Sequence, residues 1–290
     1  MTTIIVLRVR IDPQTRLGAV RLTVRDLDAM AAFYERSIGL VVLTREHDAV
    51  RLGAPGGPAL VELLHRPAAA PRPSGTTGLF HLALLVPDRA ALAAAIRRVT
   101  ESGWSFTGAS DHLVSEAVYL RDPEGNGIEI YRDRDPEEWD WDEGSVRMAT
   151  LPLDVEGVMG DLPEEATPLL PAATVLGHVH LNVGDLAATE GFYDGVLGFD
   201  VMTRAYPGAL FLSAGGYHHH IGSNVWDGAG APAPPAGAMG LEAFEVVLPH
   251  TGALDQLLAA VADAGVPTVD DASGTALTDP SGNRLILRAA

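Results

Sequence analysis

Leu17–Arg45, LGAVRLTVRDLDAMAAFYERSIGLVVLTR, aligns without a gap on Leu176–Arg204, LGHVHLNVGDLAATEGFYDGVLGFDVMTR. Leu22/Leu181, Asp26/Asp185, Tyr34/Tyr193, Gly39/Gly198 and Arg45/Arg204 are among the identical pairs. A long internal repeat means one folding unit used more than once. Each copy reads as an alternating strand, an Asp at a helix N-cap, an amphipathic helix stopped by Gly, and a further strand. A second unit follows each copy. Gly78–Asp88, GLFHLALLVPD, matches Gly240–His250, GLEAFEVVLPH, and each leads into an Ala/Leu-rich helix ending at Gly103 or Gly265. The chain is thus expected to hold four modules, at about 17–66, 78–132, 176–226 and 240–288.

The second and fourth modules close on related sequences, Tyr119–Tyr131 (YLRDPEGNGIEIY) and Leu277–Leu287 (LTDPSGNRLIL). The DP-x-GN core is dense in turn formers. In the first copy Ile128 and Ile130 alternate with Glu129, which faces the opposite side of the strand. A carboxylate set mid-strand between isoleucines needs a partner, because unpaired burial is expensive. The partner could be a cation, an arginine or water. At the same place the other copy carries Ile286.

Composition limits the partners. The chain has 290 residues, enough for two domains, and is 47% apolar, which suits a globular protein. A formal net charge of −18 argues against nucleic acid or an anionic membrane as partner. Cysteine is absent, so disulfides, thiolate metal sites and cysteine nucleophiles are excluded, and His, Asp and Glu remain as metal ligands. No apolar run reaches membrane-spanning length. The N-terminal MTTIIVLRVRID is interrupted by Arg8 and Arg10 and lacks a small-residue cleavage site, so a cytoplasmic protein is expected. Asp133–Thr174 is acidic, with Trp139, Trp141 and several prolines, and reads as a linker packed over something. Asp227–Met239, DGAGAPAPPAGAM, reads as a flexible loop.

A strand, an FY-containing helix with G[LF] after it, then DPxGNxxE, repeated in pairs, resembles the vicinal oxygen chelate superfamily. That superfamily includes glyoxalase I, bleomycin-resistance proteins and type I extradiol dioxygenases. GLFHLALLVPDR, DHLVSEAVYLRDPEGNGIE and GGYHHHIGSNVW resemble bacterial catechol 2,3-dioxygenase-type proteins of four modules. The resemblance implies an α+β fold: four βαβββ modules paired into two domains with curved mixed sheets. The expected division is an N-terminal tail at 1–16, domains at 17–132 and 176–290, and a linker at 133–175.

In the superfamily each module can offer a metal ligand on its first and its last strand. The first strands here offer Ala19, His81, His178 and Ala243. The last strands offer Glu62, Glu129, one of His218-His219-His220, and Ile286. Modules one and four keep only Glu62, so the resemblance implies one site between modules two and three, from His81, Glu129 and His178. Two histidines and a carboxylate suit Fe(II) in an oxygenase, with Mn(II), Zn(II) or Ni(II) as alternatives. Taken singly, His81 could be a packed core histidine and Glu129 could pair with an arginine. His180 shares a face with His178 and is a rival ligand, although the family register prefers His178.

The resemblance also implies roles for Tyr119 and His112 against a bound substrate, and for His220 as acid–base histidine or fourth ligand. Alternation would put His218 and His220 on one face and His219 on the other, and which face meets the metal stays open. His47, His65 and His250 are assigned to surface or turn roles. The expected activity is extradiol cleavage of a catechol- or hydroquinone-type ring, with a small aromatic substrate and dioxygen as partners. A glyoxalase-type lyase or isomerase and a non-enzymatic binder of aromatic drugs are the alternatives. A homo-oligomer is left open.

Overall fold

The computed structural model describes residues 10–290. The expected N-terminal tail lies, through residue 9, outside the described residues. Module one contains β1 (Arg16–Val24), α1 (Leu27–Phe33), β2 (Val41–Arg45), β3 (Ala49–Gly53) and β4 (Ala59–His65). Module two contains β5 (Gly78–Leu85), α2 (Arg89–Glu101), β6 (Phe106–Asp111), β7 (Ser115–Arg121) and β8 (Gly127–Asp133). The linker forms a small hairpin, β9 (Trp141–Asp142) with β10 (Ser145–Val146), then α3 (Val155–Gly160). Module three contains β11 (Val175–Asn182), α4 (Leu186–Tyr193), β12 (Asp200–Thr203), β13 (Ala209–Ser213) and β14 (Ile221–Asn224). Module four contains β15 (Gly240–Leu248), α5 (Thr251–Asp263), β16 (Val269–Asp271), β17 (Gly274–Thr278) and β18 (Arg284–Ala289).

The helix signals act as expected. Asp26 accepts the Ala29 amide and Asp185 accepts those of Ala187 and Ala188, so both cap orphan N–H groups. Gly39 ends the π-helical turn Tyr34–Ile38 that continues α1, at φ of 86°, and Gly198 closes the turn that follows α4, at φ of 79°, a conformation open to glycine. His250 caps α5 by accepting the Ala253 amide through Nδ1.

Two mixed sheets of eight strands result, in the orders β16-β17-β18-β15-β1-β4-β3-β2 and β12-β13-β14-β11-β5-β8-β7-β6. Each module's first strand runs parallel to its last. The free edge of each first strand then pairs antiparallel with another first strand: β1 with β15, and β5 with β11. One sheet therefore joins modules one and four, and the other joins modules two and three. The hydrogen-bonded sheets cross the expected division at 17–132 and 176–290.

Other contacts follow chain order. Tyr34 of module one donates to Asp122 Oδ2 in the DPEGN turn of module two at 3.1 Å. Tyr193 of module three donates to Asp279 Oδ2 in the DPSGN turn of module four, also at 3.1 Å. In both turns the other carboxylate oxygen accepts two backbone amides. The paired tyrosines of the repeat thus pin neighbouring modules together while the strands pair more distant ones.

Trp139 is buried with Val114, Val146 and Met202, so this part of the 133–175 segment packs on the body. Trp141 does not share that role and is 44% exposed. Among the described residues no helix is long and apolar enough to cross a membrane.

Candidate metal centre

β5, β8 and β11 are adjacent in one sheet, and each carries one ligand candidate: His81, Glu129 and His178. His81 Nε2 is 2.9 Å from Glu129 Oε2, and His178 Nε2 is 3.1 Å from the same oxygen. The two Nε2 atoms are 3.3 Å apart. All three residues are buried and their donor atoms lie within 4.8 Å of one another. Burial pulls the His178 imidazole down to about 4, so it is neutral near pH 7. Burial alone would raise the Glu129 carboxyl, yet the two imidazoles hold it well below the usual carboxylate range.

These residues fit a divalent metal. Glu129 Oε2 and the two Nε2 atoms form a triangle with sides of 2.9, 3.1 and 3.3 Å. A cation among the three atoms would meet a lone pair from each nitrogen and the charge of the carboxylate. His/His/carboxylate sets with open positions are those of non-haem metal sites. His178 Nδ1 is buried without a hydrogen-bond partner, so ring packing sets the orientation of that side chain. Tyr131 and His219 flank it, with centroids at 4.9 and 4.1 Å.

The three ligand candidates open into a cavity of about 300 Å³. Phe80, Tyr206, Phe211 and Trp226 supply aromatic wall. Met148 and Thr150 of the linker line it too, and the Thr150 hydroxyl bonds that of Tyr206, so the linker covers this cleft. His112 and Tyr119 both reach the cavity. His112 Nδ1 is 2.7 Å from the Ala149 carbonyl, which can only accept. That fixes the proton on Nδ1, so His112 Nε2 accepts the Tyr119 hydroxyl at 2.6 Å.

A family profile described as "Glyoxalase/Bleomycin resistance protein/Dioxygenase superfamily" matches residues 16–130 and 175–287, most of the chain. The chain belongs to that superfamily. It is 43% identical over 274 residues to a catechol-2,3-dioxygenase of Bacillus subtilis (strain 168), spanning 93% of this chain and 95% of the relative. The fold is similar to that of glyoxalase I from Zea mays, with a TM-score of 0.58, 17% identity, and coverage of 94% and 92% of the two chains. It is also similar to a candidate dioxygenase from Bacillus subtilis subsp. subtilis str. 168, with a TM-score of 0.65, 14% identity, and coverage of 97% and 86%.

Superfamily modules repeat their register here, and the register relocates one expected position. Ala83 pairs with Glu129, Arg21 with Glu62, and Glu245 with Ile286. In module three the corresponding pair is His180 with Gly222. The place of Glu129 is thus taken in module three by Gly222, and the triple histidine precedes it. An apolar residue directly before each position (Val61, Ile128, Ile221, Leu285) was the available signal. The His180 ring fills the space over Gly222, where an added Cβ would lie 2.9 Å from Nδ1.

The three histidines separate. His219 lines the cavity. His220 does not line it, and its Nδ1 instead accepts the Ala214 amide and bonds the Ser213 hydroxyl. His218 turns to Asp133, at 2.8 Å. β14 begins only at Ile221, so period-two alternation does not govern 218–220. His180 lines the cavity but stands outside the group of converging donors.

The equivalent cleft between modules one and four holds Ala19, Ala243 and Ile286, all buried. Its cation is built in. Arg21 lies 2.8 Å from Glu62, 3.6 Å from Glu245 and 3.0 Å from Asp271.

Proposed function

We propose that the protein is a metal-dependent extradiol dioxygenase, acting on a catechol- or hydroquinone-type ring with dioxygen. The observation that carries the reading is the convergence of His81, Glu129 and His178 at the floor of an aromatic-walled cavity. The likeness to a catechol-2,3-dioxygenase over nearly the whole chain supports it. His81, Glu129 and His178 would hold the metal, Fe(II) being the first choice for this donor set. When bound, the metal lowers the pKa of a coordinated hydroxyl and serves as a Lewis-acid and electron-transfer centre.

The chain's own residues supply the rest. Phe80, Phe211 and Trp226 hold a flat ring and exclude water. The His112–Tyr119 pair, with its protons fixed by the Ala149 carbonyl, turns the Tyr119 oxygen toward ring hydroxyls. His219 takes the acid–base role first expected of His220, because it borders the cavity beside His178. Burial, with the neighbouring imidazoles, holds the His219 imidazole well below the usual histidine range, so it stands neutral and available to accept a proton.

The glyoxalase-type alternative usually needs a fourth ligand. Its place in module three is Gly222, which has no side chain to offer. A drug-binding role needs no histidine–carboxylate convergence. Anaerobic reconstitution with Fe(II), then catechol and an oxygen electrode, tests the reading. One dioxygen consumed per catechol, with a yellow ring-opened product, is expected. Full metal occupancy without oxygen uptake from any catechol or hydroquinone tried would overturn it. His219→Ala should lower kcat by about 10²–10⁴-fold with the metal retained, whereas His220→Ala should not.

A further inference from the structure

Behind the cavity wall, hydrogen bonds converge on Asp133 at the end of β8. His218 Nε2 is 2.8 Å from Asp133 Oδ1, and the Tyr217 hydroxyl donates to the same oxygen at 3.3 Å. The Tyr131 and Tyr217 hydroxyls are 2.7 Å apart. On its other side His218 Nδ1 is 2.7 Å from His219 Nδ1. His218 is fully buried and Asp133 partly so.

An ionised carboxylate only accepts, so His218 Nε2 carries a proton. A neutral His218 then has a lone pair on Nδ1, and the 2.7 Å contact requires that His219 Nδ1 donate to it. His219 Nε2 is left unprotonated for the cavity. The Nδ1–H form is the less populated one of a free histidine side chain, so the arrangement has to be imposed. Carboxylate–histidine pairs fix tautomers in this way at other catalytic sites.

We propose that Asp133 and His218 are positioning residues that hold His219 in its Nδ1–H tautomer, so that Nε2 faces the cavity as a proton acceptor. The chemical use of that lone pair rests on the dioxygenase reading, but the tautomer itself does not. Tyr217 and Tyr131 keep Asp133 supplied with a second donor, which leaves the carboxylate fixed against β8.

The test uses the full-length, metal-free protein labelled with ¹⁵N in its imidazoles. Long-range ¹H–¹⁵N correlation spectra near pH 7.5 distinguish the two tautomers and the doubly protonated ring, and His219→Gln identifies the His219 signals. Wild-type His219 is expected as Nδ1–H and His218 as neutral Nε2–H. His218→Phe and Asp133→Ala should move His219 toward the Nε2–H form, and Asp133→Glu should retain Nδ1–H. A wild-type His219 in the Nε2–H form, a doubly protonated His218, or a His219 indifferent to both disruptive variants would each overturn the proposal. The wild-type spectrum decides even where a variant fails to fold. In oxygen uptake, Asp133→Ala should lower kcat by about 10–100-fold with KM little changed. Failure of wild type to consume oxygen would count against the dioxygenase reading and leave the spectroscopic result standing.

Discussion

Arg21 and His180 occupy equivalent positions of two related clefts, and their cross-strand partners are Glu62 and Gly222. Arg21 reaches its glutamate at 2.8 Å. His180 meets a residue with no side chain and fills the space itself. One cleft therefore carries its own cation, while the other leaves converging donors for a cation from outside.

Replacing Arg21 with Leu should destabilise the protein by about 1–3 kcal/mol, because Glu62 and Glu245 lose the buried charge they share while Arg51 still meets Glu62 and Arg288 still meets Glu245. Denaturant unfolding with an unchanged slope would measure it. Metal content should stay at the wild-type level, since His81, Glu129 and His178 lie in the other sheet. A loss below about 1 kcal/mol would mean the cluster is effectively solvated.

Gly222→Ala places a Cβ 2.9 Å from the His180 ring and should cost about 1–3 kcal/mol by overpacking. Adding His180→Ala opens the space, so the second substitution should cost less in the Gly222→Ala background than in wild type. A double-mutant cycle of thermal unfolding reads the coupling. Additive effects would show that the ring moves aside freely.

Tyr34→Phe and Tyr193→Phe each remove a buried donor to a carboxylate, with matched 3.1 Å geometry. Each should cost about 1.5–3 kcal/mol, the two losses should be similar, and they should add. Strongly unequal losses would break the structural equivalence of the two turns.

The modules, their helix caps and their turns are legible in the repeat, because period, Asp and Gly act locally. The pairing of modules across sheets was not local. It depends on which free strand edge meets which, and no residue within β1 or β11 announces its partner. His81, Glu129 and His178 were legible from the superfamily resemblance and from their replacement by Ala19, Ala243 and Ile286 in the other modules. The different surroundings of His218, His219 and His220 were not. Alternation assumes a strand, and these three precede one. The Arg21 cluster was equally hidden, since its acids come from β4, β15 and β16.

Glu129→Ala should leave the fold intact, since Ile286 fills the equivalent place in the other sheet, and should weaken metal binding by roughly 100-fold or more. Metal analysis after dialysis reads the loss, and circular dichroism checks the fold. Full occupancy in the variant would remove Glu129 from the ligand set.

The most direct test is an anomalous-scattering map, collected at the metal's absorption edge, from crystals of the metal-reconstituted protein. The account predicts one strong peak between β5, β8 and β11, about 2.0–2.2 Å from His81 Nε2, His178 Nε2 and a Glu129 oxygen. A peak beside Glu62 in the other cleft, or a metal held by His180 or His218 in place of His178, would contradict it.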